Sequence, residues 1–246
     1  MREIKVSLVG FGNVGRATAK VLIEKGRLFE ERYGIRINVI SISDTSGTVW
    51  LPEGIDLREA LLVKENFGRL SAWTNDYEVY ELTPEEAVRE VDSEIVVDVT
   101  NDREAWTWHL RALKEGKGIV TSNKPPLAYH YRELISEAEK RELPYLFEAT
   151  VMAGTPIVGL LRENLLGDEV QRIEAVLNAT TTFILTQMER GGLSFEEALA
   201  KAQKLGIAER DPSGDVLGID AGYKATILHC LAFHPITYEE IKVRGG

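Results

Sequence analysis

Asp220 and Lys224 stand four residues apart in GIDAGYKATILHCLAF, Gly218 to Phe233, where most other residues are apolar. The stretch predicts a helix from Asp220 to Phe233, and that spacing puts both side chains on one face. An exposed pair of this kind contributes only tenths of a kcal/mol, and a buried one must overcome desolvation. Packing alone therefore gives little reason to place it on so apolar a helix. Chemistry gives a better one, because a lysine held at intermediate burial beside a carboxylate is a tunable acid. The alternative is a pair at an exposed first turn with Asp220 near the N-cap, and helix rules weigh the two readings evenly.

Upstream lies LGIAERDPSGDVLGID, in which Glu209, Asp211, Asp215 and Asp220 fall within twelve residues. Three readings compete: a solvated turn, a hard-cation site, or a recognition loop for an ammonium group. EATVMAGTP, Glu148 to Pro156, is similar. A strand ends there in small residues whose carbonyls suit a monovalent or hard cation, with a tight turn as the alternative.

A second chemistry opens the chain. Gly10-Phe11-Gly12-Asn13-Val14-Gly15 is GxGxxG, placed after a strand-like run and before a helical one. In that context glycines let a backbone approach a pyrophosphate, and a helix N-terminus attracts its charge. The next strand ends at Asp44, where an acidic residue takes ribose hydroxyls and disfavours a 2′-phosphate. Asp44 lies 29 residues past Gly15, a longer spacing than usual, and Thr45 and Ser46 follow it rather than an arginine. The sequence therefore favours NAD, or dual use, over strict NADP; the other reading of Asp44 is a turn cap. Thr100-Asn101 and Thr121-Ser122-Asn123-Lys124 end two further strands, where open α/β sheets bind ligands. Thr100, Asn101, Ser122, Asn123 and Lys124 are thus expected at the nicotinamide end of a cofactor site. Pro125-Pro126 deny the chain a helix directly after Lys124 and stiffen its approach. The alternative is an ordinary exposed lysine in a proline-rich loop.

The elements that must position these groups alternate. Strands are predicted at Glu3–Gly10, Arg36–Ser43, Glu94–Thr100, Gly118–Ser122 and Pro144–Thr150, with helices at Val14–Glu31, Asp56–Glu65, Pro84–Val91, Asp102–Glu115 and Tyr129–Arg141. That alternation implies an α/β fold, a Rossmann-type doubly wound parallel sheet covered on both faces. After Thr150 the texture changes: a strand at Val170–Asn178 and helices at Thr182–Arg190, Phe195–Leu205 and Asp220–Phe233 point to a second, α+β region. The expected division is residues 1–149 and 150–246.

With 246 residues the chain is long enough for one large or two ordinary domains. A net charge of −10 argues against nucleic acid and anionic membrane surfaces as partners. No apolar run approaches the roughly 20 residues of a membrane helix. One cysteine, Cys230, excludes an intramolecular disulfide framework, and four histidines in no HExxH spacing argue against zinc. MREIKVSLVGFG enters a strand with no signal-peptide pattern, so the expected location is cytoplasmic.

Together, GFGNVG, SDTSG, TSNKPP, EATVMAGTP, NATTTFIL, LGIAERDPSGDVLGID and the DAGYK helix start resemble homoserine dehydrogenase, in the family's order and across nearly the whole chain. The chain looks like the short, monofunctional form, with no aspartate-kinase region before GFGNVG. The resemblance implies a dinucleotide-binding domain at 1–149 and a substrate-binding and dimerisation domain at 150–246. It implies reversible reduction of L-aspartate 4-semialdehyde to L-homoserine with NAD(P)H. Lys224 matches the catalytic lysine, Asp220 the carboxylate beside it, and Lys124 the lysine between cofactor and substrate. Glu209 and Asp215 match the acids that hold the substrate's amino end. Glu148, Val151, Ala153 and Thr155 match a metal-binding turn described as sodium-like. A homodimer is implied, with Val170–Asn178 fitting its shared sheet. Two rival readings are a dehydrogenase for another small amino-acid aldehyde and a non-catalytic NAD(P)-binding module. The chain departs from the family in Ala179, where glycine is common, and in stopping at IKVRGG, where members normally continue with a closing helix and strand. The C-terminal closing segment is expected to be missing.

Overall fold

The strand that opens the chain, β1 (Arg2–Val9), pairs in parallel with β2 (Ile35–Asp44) on one side and β5 (Ile95–Asp98) on the other. The computed structural model describes residues 1–73 and 78–244. Seven strands form one sheet in the order β4-β3-β2-β1-β5-β6-β7, with β6 (Gly118–Thr121) and β7 (Tyr145–Leu146) extending the parallel side. β3 (Gly47–Trp50) and β4 (Val79–Tyr80) add an antiparallel edge. Helices α1 (Asn13–Tyr33), α2 (Leu57–Phe67), α3 (Pro84–Glu90), α4 (Ala105–Lys114) and α5 (Pro125–Lys140) alternate with the strands. Strand order therefore reverses at β1, between β2 and β5, and ligands of such sheets bind outside the carboxyl ends at that point. The core there is apolar and closed: Leu8, Phe11 and Ile42 are each at most 1 % exposed.

The later elements are α6 (Ile157–Gly159), running into a π-turn at Leu160–Asn164, then α7 (Ala179–Gly191), α8 (Phe195–Lys204), α9 (Ser213–Val216) and α10 (Ile219–Ala232). Ile184, Ala198, Ala202 and Ala208 form a second, smaller core. The chain divides into two compact units, 1–126 with 132–147, and 127–131 with 148–246. Residues 127–131 of α5 thus belong to the second unit, where Tyr129 makes ring contacts with Tyr223 (5.9 Å) and Tyr238 (5.6 Å). α5 breaks its helical dihedrals at His130, near where the chain returns to the first unit.

Three expectations are corrected, and one element is added. Pro125 and Pro126 do not deny a helix after Lys124; they are its first two residues, where a missing N–H costs nothing because that donor has no helical partner. The strand expected over Pro144–Thr150 is two residues long, because only Tyr145 and Leu146 find partners on β6 before Glu148–Thr150 turns as a 3-10 helix. Val170–Asn178 is not a strand: among the described residues no strand pairs with it, residues 171–176 are all exposed, and Val176 is 79 % exposed. The antiparallel pair β3–β4 was not anticipated. Asp44 pairs with Gly47 across a two-residue turn, and Gly47 takes φ +139°, which only glycine adopts readily.

Gly15 fixes the turn between β1 and α1. A Cβ added there would lie 2.1 Å from the Gly10 carbonyl oxygen, a backbone atom that cannot swing aside. Gly15→Ala is expected to destabilise the protein by about 1–3 kcal/mol through that overlap and to weaken dinucleotide binding. A thermal melt and a cofactor fluorescence titration check this; an unchanged titration would show the turn to be irrelevant to the cofactor.

Candidate functional site

At the end of β1, Gly10 takes φ +98° and Gly12 becomes the N-cap of α1 with no side-chain cap. A Cβ on Gly12 would meet nothing within 4 Å, whereas one on Gly10 would lie 3.0 Å from the Val99 backbone. The turn is thus closed on its sheet side and open at the helix N-terminus of a 21-residue helix. That arrangement fits a pyrophosphate, because uncapped N–H groups and the helix dipole both favour an anion there. Phe11 is buried, while Asn13 and Val14 are exposed on the first turn. Arg16 adds positive charge, with its guanidinium 2.8 Å from Asn13 Oδ1.

Asp44 ends β2 in a crowded position. Its Oδ1 accepts from Ser46 N (2.7 Å) and Ser46 Oγ (2.5 Å), and its Oδ2 from Leu70 N (3.2 Å) and the Lys64 ammonium. Its side chain is 6 % exposed. Burial pushes the carboxyl up, but Lys64 and the Ser46 donors outweigh it, so Asp44 lies below its ordinary range. These are turn-capping contacts, and with an ammonium beside it Asp44 presents less negative charge than a bare carboxylate.

The loops after β5 and β6 are tied together by a residue that motif reading passed over. Asp98, fully buried at the end of β5, accepts from Thr100 N (2.9 Å) and Thr100 Oγ1 (2.7 Å) through Oδ1. Its Oδ2 accepts from Asn123 Nδ2 (3.0 Å) and from His109 Nε2 (3.0 Å) on α4. Burial raises the Asp98 carboxyl, and His109 with Thr100 more than compensates, leaving it ionised and acceptor-only. His109 Nε2 must therefore carry the hydrogen, while Nδ1 faces the Tyr145 hydroxyl at 2.7 Å. Burial, and then the Asp98 charge, pushes the Tyr145 hydroxyl well above its ordinary value, so it stays protonated. Asn123 Nδ2 also donates to the Asp102 carbonyl (2.7 Å), joining the two loops. Asn123 is 1 % exposed, so its side chain braces the site from inside rather than lining it. Asn101 is exposed, Thr100 and Ser122 are half-buried, and Lys124 is the half-buried N-cap residue of α5. The signal for Asp98 was in EIVVDVT, a charged residue inside an apolar central strand.

In the second unit Lys224 and Asp220 form an ion pair at 2.5 Å on the first turns of α10, with side chains 15 % and 22 % exposed. This is the intermediate burial that acid chemistry needs, although Asp220 does sit in the first turn, two residues past the N-cap Gly218. Lys224 Nζ also donates to the Leu177 carbonyl at 2.7 Å. Asn178 brings Asp215 into the cluster: its Nδ2 lies 2.6 Å from Asp215 Oδ1 and 3.2 Å from Asp220 Oδ2. Glu209 is exposed on the loop between α8 and α9, its carbonyl accepting from Gln203 Nε2 at 3.2 Å.

The Glu148 carboxylate accepts from Val158 N (2.9 Å) and Gly159 N (2.7 Å), which starts α6. Between them Met152 and Ala153 hold left-handed dihedrals, φ 58° and 47°, at a cost of about 1 kcal/mol each. Val151 is buried, Ala153 and Thr155 are exposed, and the Thr155 carbonyl accepts from Ile157 N at 2.9 Å. Among the described residues, no group of three or more His, Cys, Asp or Glu side chains could hold a metal ion.

A family model described as homoserine dehydrogenase matches residues 156–245, and one described as glutamate/leucine/phenylalanine/valine dehydrogenase matches residues 1–103. The chain is 50 % identical over 238 residues to a homoserine dehydrogenase of Pyrococcus horikoshii, covering 97 % of this chain and 72 % of the relative. It is 34 % identical to an NAD(+)-dependent homoserine dehydrogenase of Pseudomonas canavaninivorans, covering 100 % of this chain and 71 % of that one. The solved structure of a hyperthermophilic archaeal homoserine dehydrogenase in complex with NADPH superposes with a TM-score of 0.88 at 48 % identity, over 98 % of this chain and 75 % of that one.

Proposed function

The chain belongs to the homoserine dehydrogenase family, and we propose that it reversibly reduces L-aspartate 4-semialdehyde to L-homoserine, the step towards threonine and methionine. The observation that carries this reading is the half-buried Lys224–Asp220 pair on an otherwise apolar helix. Hydride addition to an aldehyde carbon leaves an alkoxide that needs a proton or a cation within reach. An ammonium has three N–H donors. Asp220 and the Leu177 carbonyl take two directions, and the third delivers a proton to the substrate oxygen. Asp220 keeps Lys224 aimed, and Lys124 is the second cation of the reaction. Glu209 and Asp215 hold the substrate's ammonium, which presents its carbonyl carbon in a fixed orientation.

The cofactor is NAD or NADP, and when bound it supplies or accepts the hydride. Gly10, Phe11, Gly12, Asn13, Val14 and Gly15 hold its pyrophosphate end. Thr100, Asn101, Ser122 and Lys124 line its nicotinamide end, with Asn123 bracing them. Asp44 faces the ribose, and because Lys64 offsets its charge, a 2′-phosphate is not excluded. That moderates the preference for NAD, and relatives of both kinds accord with it: one is named NAD(+)-dependent and another was solved with NADPH. A monovalent cation at the Glu148, Val151, Ala153 and Thr155 turn, in which Met152 and Ala153 are strained, belongs to this reading. So does a homodimer in which a second copy supplies the strand that Val170–Asn178 lacks. Among the described residues no helix is long and apolar enough to cross a membrane, and the proposed location is the cytoplasm, with neither nucleic acid nor membrane as partner.

Turnover of homoserine with NAD and NADP, assayed separately, tests the proposal. Cofactor reduction is expected with at least one of them. Reduction with another amino alcohol instead of homoserine would favour a dehydrogenase for another small amino-acid aldehyde. Cofactor binding without turnover on any amino alcohol would make the chain a non-catalytic module.

A further inference from the structure

Asn178 ends the irregular segment before α7, and its side chain does two separable things. Its Oδ1 accepts from Thr181 N at 2.8 Å and so caps α7. Its Nδ2 donates to Asp215 Oδ1 at 2.6 Å and to Asp220 Oδ2 at 3.2 Å. These partners fix which way the amide points: an N–H faces its oxygen and two carboxylates face its nitrogen. Asn178 is 8 % exposed, so these contacts are sheltered from competing water.

The cap does not require asparagine. Serine and aspartate cap equally well, because capping uses only the oxygen. What asparagine alone among the good caps supplies is a neutral NH2 group, with one hydrogen for each of two carboxylates. Aspartate would bring a third negative charge to the same point, and serine has no second donor. The residue preceding it, Leu177, offers its carbonyl to Lys224 Nζ at 2.7 Å. Two consecutive residues therefore fasten Asp215, Asp220 and Lys224.

We propose that Asn178 is the positioning residue of this cluster: its amide bridges Asp215 and Asp220, offsets their mutual repulsion, and fixes the direction in which Lys224 points. The proposal rests on the homoserine dehydrogenase reading, in which Lys224 donates the proton and Asp215 holds the substrate. Asn178 acts only through those groups, so its loss moves the geometry of proton delivery and leaves the dinucleotide site alone.

The test uses Asn178→Asp, which retains the α7 cap and inverts the amide's role. Expected are a fall in kcat on the order of 100-fold, the scale of a displacement of about 1 Å at a reacting group, an unchanged cofactor KM, and a thermal midpoint lowered by the third carboxylate. Asn178→Ser, which also caps, is expected to lower kcat while keeping the midpoint. A crystal structure of Asn178→Asp is expected to show the Lys224–Leu177 contact broken or the Asp215 and Asp220 carboxylates moved apart. Asn178→Asp with kcat within about threefold of the parent, or with the Lys224, Asp220 and Leu177 contacts intact in its crystal structure, overturns the proposal and leaves Asn178 a helix cap. If the parent itself turns over no homoserine, the family-level reading has failed instead, and the crystal structure alone decides the role of Asn178.

Discussion

Lys224→Ala is expected to lower kcat by about three orders of magnitude, the combined range of losing a general acid and a cation at a developing oxyanion, while cofactor affinity stays at the parent value. The expectation follows from how little else Lys224 does. It is 15 % exposed, and its two fixed partners are Asp220 and one backbone carbonyl. Truncating it leaves Asp220, 22 % exposed, with the Asn178 amide as a remaining partner, and the helix around it is held by Ile227 and Leu228, 0 % and 3 % exposed. Stability should therefore change little. Substrate KM should rise less than kcat falls, because the acids assigned to the substrate's ammonium, Glu209 and Asp215, remain. Lys224→Arg is the informative companion: it keeps the positive charge but gives up a proton far less readily. If the proton matters more than the charge, arginine restores little. Steady-state kinetics with homoserine and a cofactor titration decide the matter. Near-parental turnover in Lys224→Ala would remove the residue from the mechanism and reassign proton delivery to Lys124.

The parallel half of the sheet could be read from sequence because its strands are apolar runs broken by glycine and by polar residues at their ends. EIKVSLVG and RINVISIS bury the β-branched residues Val6, Val9, Val39, Ile40 and Ile42, the kind a doubly covered sheet favours. β3 was missed because four residues, GTVW, are too short for periodicity to show. Val170–Asn178 failed for the opposite reason. Its pattern is partly that of a strand, but a strand exists only by pairing, and among the described residues none pairs with it. Site residues divide in the same way. Lys224, Asp220 and Asp215 are legible because charges on or beside an apolar helix need a reason. Asp44 is half legible, since the sequence places it at the end of β2 but cannot show Lys64 reaching it from twenty residues further along the chain. Asp98, His109 and Asn178 act by bracing other residues, so their roles emerge only when distant segments are brought together.

His109→Ala is expected to be the most destabilising change of a single side chain in the first unit. Asp98 and His109 are both 0 % exposed, and the carboxylate stays ionised because the histidine and the Thr100 donors compensate its burial. Deleting one partner of such a pair leaves an undercompensated buried charge, which costs about 3–5 kcal/mol. For a protein of this size that lowers the thermal midpoint by roughly 10 °C. The alanine also leaves a cavity beside Trp108 and Tyr145, whose rings pack on His109 at 4.4 and 5.7 Å. The sign of the pH dependence follows from the lowered carboxyl of Asp98. Its stabilisation is present above the unfolded-state value of about 3.9 and is lost as pH falls through the lower folded one. The gap between parent and His109→Ala should therefore be widest near neutrality and narrow below about pH 4. Because Asp98 also receives Thr100 and Asn123, the variant should loosen both loops and raise the cofactor KM, although His109 itself does not line the proposed site. Thermal melts across pH, with cofactor KM at neutrality, test both halves. A midpoint shift under about 2 °C would mean that the Thr100 and Asn123 donors alone compensate the buried carboxylate. A large shift with unchanged cofactor KM would mean that the network supports the fold and not the loops.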